Sequence, residues 1–455
     1  MADALVKLCC GIYGLAHRKE FSASRPLEGN AAFMDRDERY WWGYKFYCSP
    51  IEEAEPGSGL EEYFRGQDLD FGRGKAAALV ASAAGARTGA LEGEIGAMTI
   101  AAGGDILVSP QLRPETTACL WDDVRNFYFD ADVVYANLET PVAPSSPPGF
   151  LPRSILEPPA LNSTPAMFDR IVEDGKGINF LSTANNHCLD QGEAGLLETL
   201  DFLDARGYPH VGTARSPEER DRVVMVEKGG VKTAFISWTF ALNWKSLPEG
   251  KDYLANYSRL NLAGADVSPI ARQVEAARAA GADAVVALLH WSLEFESFPL
   301  RNVVETGHRI LELGVDVIIG NHPHGVQPIE RYTYVDGVSG RNREGLIIYA
   351  LGDLVSFRRK DVPNSRLGNL ARIRLSKRRE DGGTRTAVSS LEILPTYLYS
   401  RLEDRKCRDF RILDFRKLVR ELDEGMNRFG LGRAQLREVR RLEGLMKKVL
   451  GPALR

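Results

Sequence analysis

The sequence predicts an α/β protein, a two-sheet β-sandwich flanked by helices, with N-terminal and C-terminal extensions. Three observations predict it. Short apolar runs with strand character recur from about residue 96 onward, amphipathic stretches separate several of them, and glycine pairs interrupt two of the runs. Buried strands alternating with one-sided helices build α/β layers, and the glycine pairs mark hairpins, so part of the sheet is antiparallel.

The strands are expected over Met98–Ile106, Ala131–Leu138, Ile178–Ala184, Val223–Thr239, Ala284–Leu289, Val315–Ile319 and Gly345–Leu351. Lys228-Gly229-Gly230 splits the fourth into a hairpin, and Asp381-Gly382-Gly383 joins Leu370–Leu375 to Ala387–Leu394 in another. Helical spacing predicts helices over Gly195–Ala205, Pro269–Ala280 and Asn302–Leu313. Ahead of this body, residues 1–95 form an extension with an aromatic cluster at Tyr40–Tyr47, a Pro56–Gly59 loop and an Ala-rich helix over Ala76–Ala90. Residues 96–398 are expected to form the main domain. Residues 399–455 are highly charged and expected to be helical, with Leu436, Val439, Leu442, Met446 and Val449 as an apolar stripe that packs on the core.

A formal charge of −4 on 455 residues argues against a general nucleic-acid binder. The mildly apolar start lacks a basic leader, and no run approaches the roughly 20 apolar residues that span a bilayer, so no membrane association and a cytoplasmic location are expected. The six cysteines show no CxxC spacing and read as free thiols in a reducing compartment.

The chemistry concentrates at strand ends. Four of the seven histidines lie in Asn185-Asn186-His187, His290-Trp291 and His322-Pro323-His324, each following an apolar run. Asp105, Glu139 and Asp353 close three further runs. Loops at the ends of buried strands are where α/β proteins gather reactive groups. In an extended segment His322 and His324 face one side and clasp a metal, and Pro323 favours that backbone. Gly103 and Gly104 are expected to let the backbone approach an ion beside Asp105. Asp190, three residues after His187, can orient the imidazole, which leaves His187 as either a ligand or an acid/base. Asn185 and Asn186 have an alternative use as caps of the following helix. Trp291 reads equally as pocket wall or core. His17, His210 and His308 have no such setting. No phosphate-cradling loop and no GxSxG elbow appear.

These motifs, in this order, resemble the CapA family, a branch of the calcineurin-like metallophosphatases. The resemblance covers roughly residues 96–360. It implies a calcineurin-like two-sheet fold with a metal centre at the strand ends. It also implies Asp105, Glu139, Asn186, His290, His322 and His324 as metal ligands, with His187 in the position of the catalytic histidine. The chain departs from the phosphatase pattern: Asp-x-His is here Asp105-Ile106-Leu107, Cys188 stands where an acid is expected, and Asp353 replaces an Asn. One ion rather than two is expected, and an oxygen-rich site favours Ca²⁺, Mn²⁺ or Mg²⁺. Within the family the chain looks like the lasso-peptide epimerases, which invert the Cα of a precursor peptide's C-terminal residue. That likeness implies a peptide substrate and two acid/base groups: His187 with His290 or His322, oriented by Asp190, Asp105 or Asp353. Trp41, Trp42 and Trp291 are the candidate aromatic contacts. The alternatives are a metal-dependent phosphoesterase, a capsule-type amide ligase or hydrolase acting on γ-glutamyl chains, and a non-enzymatic peptide-binding module.

Overall fold

The computed structural model describes residues 60–69, 93–151, 159–243, 245–336, 340, 342–357, 364–380 and 383–454. Trp41, Trp42, the aromatic cluster and the Ala-rich stretch lie outside them. In chain order the first strands are β1 (Glu94–Ile106), β2 (Val133–Asn137), β3 (Phe180–Ser182), β4 (His210–Val211), β5 (Val224–Lys228), β6 (Val231–Thr239) and β7 (Ala284–His290). Then come β8 (Val317–Asn321), β9 (Ile329–Val335), β10 (Asn342–Ile348), β11 (Asp353–Val355), β12 (Leu367–Glu380), β13 (Gly383–Glu403) and β14 (Lys406–Asp414).

The strands form two mixed sheets. One has the order β14-β13-β12-β1-β2-β3-β4, with β11 also paired to β1; the other has the order β5-β6-β7-β8-β10-β9. The predicted hairpins join β5 to β6 and β12 to β13, both antiparallel. The sandwich interior is filled by Met98, Ile100, Val133, Phe180, Phe235, Val286, Val317, Ile348 and Ile373. Each large aliphatic side chain buried there contributes about 1.5–3 kcal/mol.

Helices cover the outer faces. The described helices used below are α1 (Leu60–Arg65), α2 (Arg125–Tyr128), α3 (Pro165–Ile171), α4 (Gly192–Ala205), α5 (Pro217–Asp221), α6 (Ser268–Ala279), α7 (Arg301–Glu312), α8 (Phe415–Asp423) and α9 (Arg433–Leu450). Ile270 and Val274 of α6, Val303 and Ile310 of α7, and Val439, Leu442 and Met446 of α9 bury their apolar faces in one core over the second sheet. The stripe near the C-terminus therefore packs on the body, as its spacing predicts. Phe64 of α1 joins the same core, edge-on to Tyr349.

Two expectations change. Residues 399–414 are not helical: β13 runs through position 398 without a break, and β14 follows. Their charge hides the strand, because Arg408, Asp409 and Arg411 interleave with the buried Cys407, Phe410 and Ile412. The Gly103-Gly104 pair serves strand packing rather than an ion. A Cβ on Gly104 would lie 1.7 Å from the carbonyl oxygen of Gly352, and one on Gly103 would lie 2.5 Å from the Tyr128 hydroxyl. β1 changes neighbour at this point, from β12 along Glu94–Ala102 to β11 at Asp105.

Candidate metal centre

Period-two alternation decides which side chains reach the centre. In β7, Val285, Ala287 and Leu289 face the outer helices, while Ala284, Val286 and Leu288 face the sandwich interior. His290 continues the interior set. In β8, Val317 and Ile319 face inward, and Asn321 follows them at the strand end. In β2, Val133 and Tyr135 face inward and Asn137 follows. Simple parity from Met98, Ile100 and Ala102 would send Asp105 the other way. A bulge corrects it: Ala102 pairs with Tyr135 but Asp105 pairs with Asn137, three residues against two. The extra residue turns the Asp105 carboxylate inward.

The convergence is tight. Ligand atoms of Asp105, Glu139 and His290 lie within 4.8 Å of one another, and the same holds for Glu139, His322 and His324 and for Asp105, His324 and Asp353. Asp105, Glu139, His290, His324 and Asp353 are each at most 1% exposed. His290 Nε2 lies 3.4 Å from Glu139 Oε1, and His324 Nε2 lies 3.7 Å from the same oxygen. His324 Nδ1 donates to Asp353 Oδ1 at 2.8 Å, and the Ser356 hydroxyl donates to the other oxygen of Asp353. Asn137 Nδ2 donates to Asp105 Oδ1 at 2.8 Å, and the His322 backbone N–H donates to Asp105 Oδ2 at 3.0 Å.

His322-Pro323-His324 is not the extended segment the sequence suggests. His322 has φ of 99° and His324 has φ of 55°, both left-handed. Such backbone costs about 1–3 kcal/mol per residue and persists only where its surroundings over-determine it. Here the Asp105 carboxylate fixes the His322 amide, and Asp353 fixes the His324 ring. The rings still converge, 5.9 Å apart, by turning rather than by sharing one face of a strand.

His187 sits beside this group. Its Nδ1 donates to Asp190 Oδ2 at 2.8 Å, and its Nε2 lies 4.0 Å from Glu139 Oε1. Burial opposes charge on this imidazole, but the charge and hydrogen bond of Asp190 outweigh it and raise its pKa above the ordinary value. For His290 burial wins over the Asp105 charge and lowers the pKa to about 4, so this ring is neutral at pH 7, as a metal-binding imidazole must be. Burial, and then the charge of Glu139, push Asp105 well above the usual carboxylate range.

Asn186 belongs to the centre, not to a helix cap. Its Oδ1 accepts from His290 Nε2 at 2.9 Å, and its Nδ2 donates to Asn243 Oδ1 at 2.9 Å. Asn185 instead braces the loop, donating to the Leu138 carbonyl at 2.8 Å. Trp291 is fully buried: its ring stacks on Tyr349 and its indole N–H donates to the Tyr349 carbonyl at 3.1 Å. This places it in the core beneath the centre rather than on a surface a substrate touches. Burial pushes the Cys188 thiol up to about 12, so it is an inert packed residue. Cys119, Cys188 and Cys407, among the described residues, are free thiols.

Sequence reasoning missed Asn243 and Asn261. Asn243 has φ of 52° and places its amide 3.3 Å from His187 Nδ1. Its signal was its place just past the end of β6, the neighbour of β7. Asn261 holds the turn after His290: it bonds both the N–H and the carbonyl of Ser292, each at 2.7 Å, where φ is 72°.

The donor set fits a divalent cation. Carboxylates and imidazoles share one water-poor centre, and the charge of Glu139 already makes ionisation of Asp105 costly. A cation at their meeting point relieves that repulsion.

The comparisons agree with this architecture. A family model described as "Bacterial capsule synthesis protein PGA_cap" matches residues 99–358. The PGA biosynthesis protein CapA of Bacillus subtilis (strain 168) is 28% identical over 183 residues, 40% of this chain and 43% of that protein. The capsule biosynthesis protein CapA of Bacillus anthracis is 24% identical over 182 residues, 39% of this chain and 40% of that protein. These matches span less than half the length of either relative. Among the described residues no helix is long and apolar enough to cross a membrane.

Proposed function

This chain belongs to the bacterial capsule synthesis protein PGA_cap family, and on that premise we propose that it is a metal-dependent enzyme acting on an amide bond of a peptide-like, carboxylate-bearing substrate. The reaction is hydrolysis of that amide, water supplying the oxygen of the new carboxylate and the amine leaving protonated. The observation that carries the reading is the convergence of Asp105, Glu139, His290, His322, His324 and Asp353 in three overlapping triads, the ligand atoms of each within 4.8 Å of one another. These residues would hold the cation, with Asn186 beside them, and Mn²⁺ is the best match among the expected ions because it accepts both carboxylate and imidazole. When bound, the cation supplies positive charge that polarises a substrate carbonyl or carboxylate oxygen.

His187 is the acid/base group of this proposal. The Asp190 carboxylate holds its Nδ1 proton, which leaves Nε2 turned toward the centre to take or deliver a proton. Asn243 Nδ2 lies 3.3 Å from the same Nδ1. The burial of His187, at 5% exposure, limits water around the transferred proton.

A second reading, inversion of a Cα in a peptide substrate, is favoured by one specific feature. Two separate His/Asp pairs, His187–Asp190 and His324–Asp353, both approach Glu139. Two bases on opposite sides of a Cα are what inversion needs. A phosphoesterase reading is weaker, because the buried Leu107 stands where the metallophosphatase pattern carries a histidine.

One experiment separates the readings. The Mn²⁺-loaded protein is incubated with glutamyl peptides in D₂O and, in parallel, in ¹⁸O-water, and the products are read by mass spectrometry. Amide hydrolysis gives shorter products that carry ¹⁸O. Inversion gives an uncleaved peptide with one deuterium fixed at Cα. Phosphate release from an aryl phosphate without either product would overturn both.

A further inference from the structure

At the metal-centre end of the sandwich interior, four polar side chains form one line of hydrogen bonds. They are Asn321 of β8, Tyr135 and Asn137 of β2 and Ser182 of β3, each at most 2% exposed. Asn321 Nδ2 donates to the Tyr135 hydroxyl at 2.7 Å, the Tyr135 and Ser182 hydroxyls lie 2.9 Å apart, and Ser182 Oγ donates to Asn137 Oδ1 at 2.8 Å. Asn137 Nδ2 ends the line on Asp105 Oδ1 at 2.8 Å. The same nitrogen lies 3.2 Å from His290 Nδ1, so one amide touches two of the residues that would hold the cation.

The direction of every bond follows from the Asp105 end. The carboxylate takes the amide N–H of Asn137, so Asn137 Oδ1 faces Ser182. That oxygen can only accept, which commits the single Ser182 hydroxyl proton to it. The Tyr135 proton therefore goes to Ser182, and the Tyr135 oxygen accepts from Asn321. All four donors point toward Asp105, and bonds in such a series polarise one another. Asn185 Nδ2 lies 3.5 Å from Asn137 Oδ1, but its short bond goes to the Leu138 carbonyl.

The line also crosses between the sheets. Asn321 belongs to the second sheet and is the register partner of His290; Asn137 belongs to the first and is the register partner of both Asp105 and Ser182. The proposed ligands come from both sheets, Asp105 and Asp353 from the first and His290 from the second. Apolar packing across the sandwich is non-directional and sets no angle for a carboxylate. Hydrogen bonds do.

We propose that Tyr135 and Ser182 are positioning residues for the cation: through Asn137 they hold the Asp105 carboxylate at the angle at which it meets His290. This rests on the reading of the centre as a cation site.

The test is equilibrium dialysis of the chelator-treated full chain against Mn²⁺, for the parent, Ser182→Ala, Tyr135→Phe and Tyr128→Phe, with melting curves in EDTA to verify that each is folded. Tyr128 is the matched control: its phenol is fully buried and donates to the Tyr135 carbonyl at 2.6 Å, outside the line. Ser182→Ala weakens Mn²⁺ at least about tenfold and Tyr135→Phe at least about threefold, while Tyr128→Phe stays within about twofold of the parent. A merely structural role would lower the melting temperature and leave the Mn²⁺ affinity of the folded protein unchanged. Parental affinity in folded Ser182→Ala or Tyr135→Phe, or an equal loss in Tyr128→Phe, would overturn the proposal alone. A parent that binds no Mn²⁺ would overturn the cation site and the proposal with it.

Discussion

Replacing Glu139 by glutamine should reverse the stability order of the protein with and without metal. Glu139 is fully buried, and imidazole nitrogens of His290, His324 and His187 lie 3.4, 3.7 and 4.0 Å from its Oε1. Its charge pushes the neighbouring Asp105 up. A buried carboxylate carries a penalty of several kcal/mol, whereas a buried amide of the same shape costs about 1–3 kcal/mol. Without metal, E139Q should therefore be more stable than the parent by about 1–2 kcal/mol. That corresponds to a rise in Tm of roughly 1–2 °C in a protein of this size. With Mn²⁺ at a hundred times its Kd, the parent gains about 2.7 kcal/mol, and the variant, having lost a ligand shared by two of the converging groups, gains little. Differential scanning calorimetry in EDTA and in MnCl₂ reads both arms. A variant that melts below the parent in EDTA, or Mn²⁺ shifts of equal size in both proteins, would refute the reasoning.

Other perturbations test separate parts of the account. Asp190→Asn removes the charge that holds the His187 proton and should lower Mn²⁺-dependent turnover by about 10²–10⁴-fold with KM little changed, as steady-state kinetics will read. Burial pushes the Asp123 carboxyl up, but the hydrogen bonds from Lys417 and the Asp414 backbone and the charge of Arg428 outweigh it and hold it below the usual range. Its contribution is then present above the unfolded value of about 3.9 and lost as pH falls through the lower folded value. The gap in urea midpoint between parent and D123N should be clear at pH 7 and close as pH falls below the usual carboxylate range. Gly320→Ala would put a Cβ 2.0 Å from the Tyr349 carbonyl and 2.6 Å from Trp291 Nε1, so it should lower Tm sharply or abolish soluble expression. Cys188 should stay unalkylated by iodoacetamide at pH 8 until the protein is denatured, as peptide mass spectrometry will show.

Much of the centre was legible because buried strands advertise themselves. In β7 an unbroken apolar run stops at His290, and in β8 it stops at Asn321, so the first polar residue after each run marks the end where ligands gather. Other features depend on pairing that a linear reading does not contain. Asp105 points inward only because β1 carries one residue more than β2 across the bulge, and nothing local to Gly103-Gly104 announces the change of partner from β12 to β11. The left-handed backbone at His322 and His324 is imposed by Asp105 and Asp353, which are distant in sequence. Asn243 carries no motif. β9 and β14 were missed for a different reason: their charged residues break the apolar signal, although β9 pairs along its length with β10 and β14 with β13. Trp291 was ambiguous from sequence alone, and only its stacking on Tyr349 decides that it is core.

The most direct test of the central claim is equilibrium dialysis of the chelator-treated protein against Mn²⁺, compared with the Asp105→Asn and His324→Ala variants. The account predicts a single class of tight sites in the parent that both variants weaken by at least about a hundredfold, since each removes a ligand from two of the converging groups. Mn²⁺ that fails to bind the parent, or that binds parent and both variants alike, would contradict it.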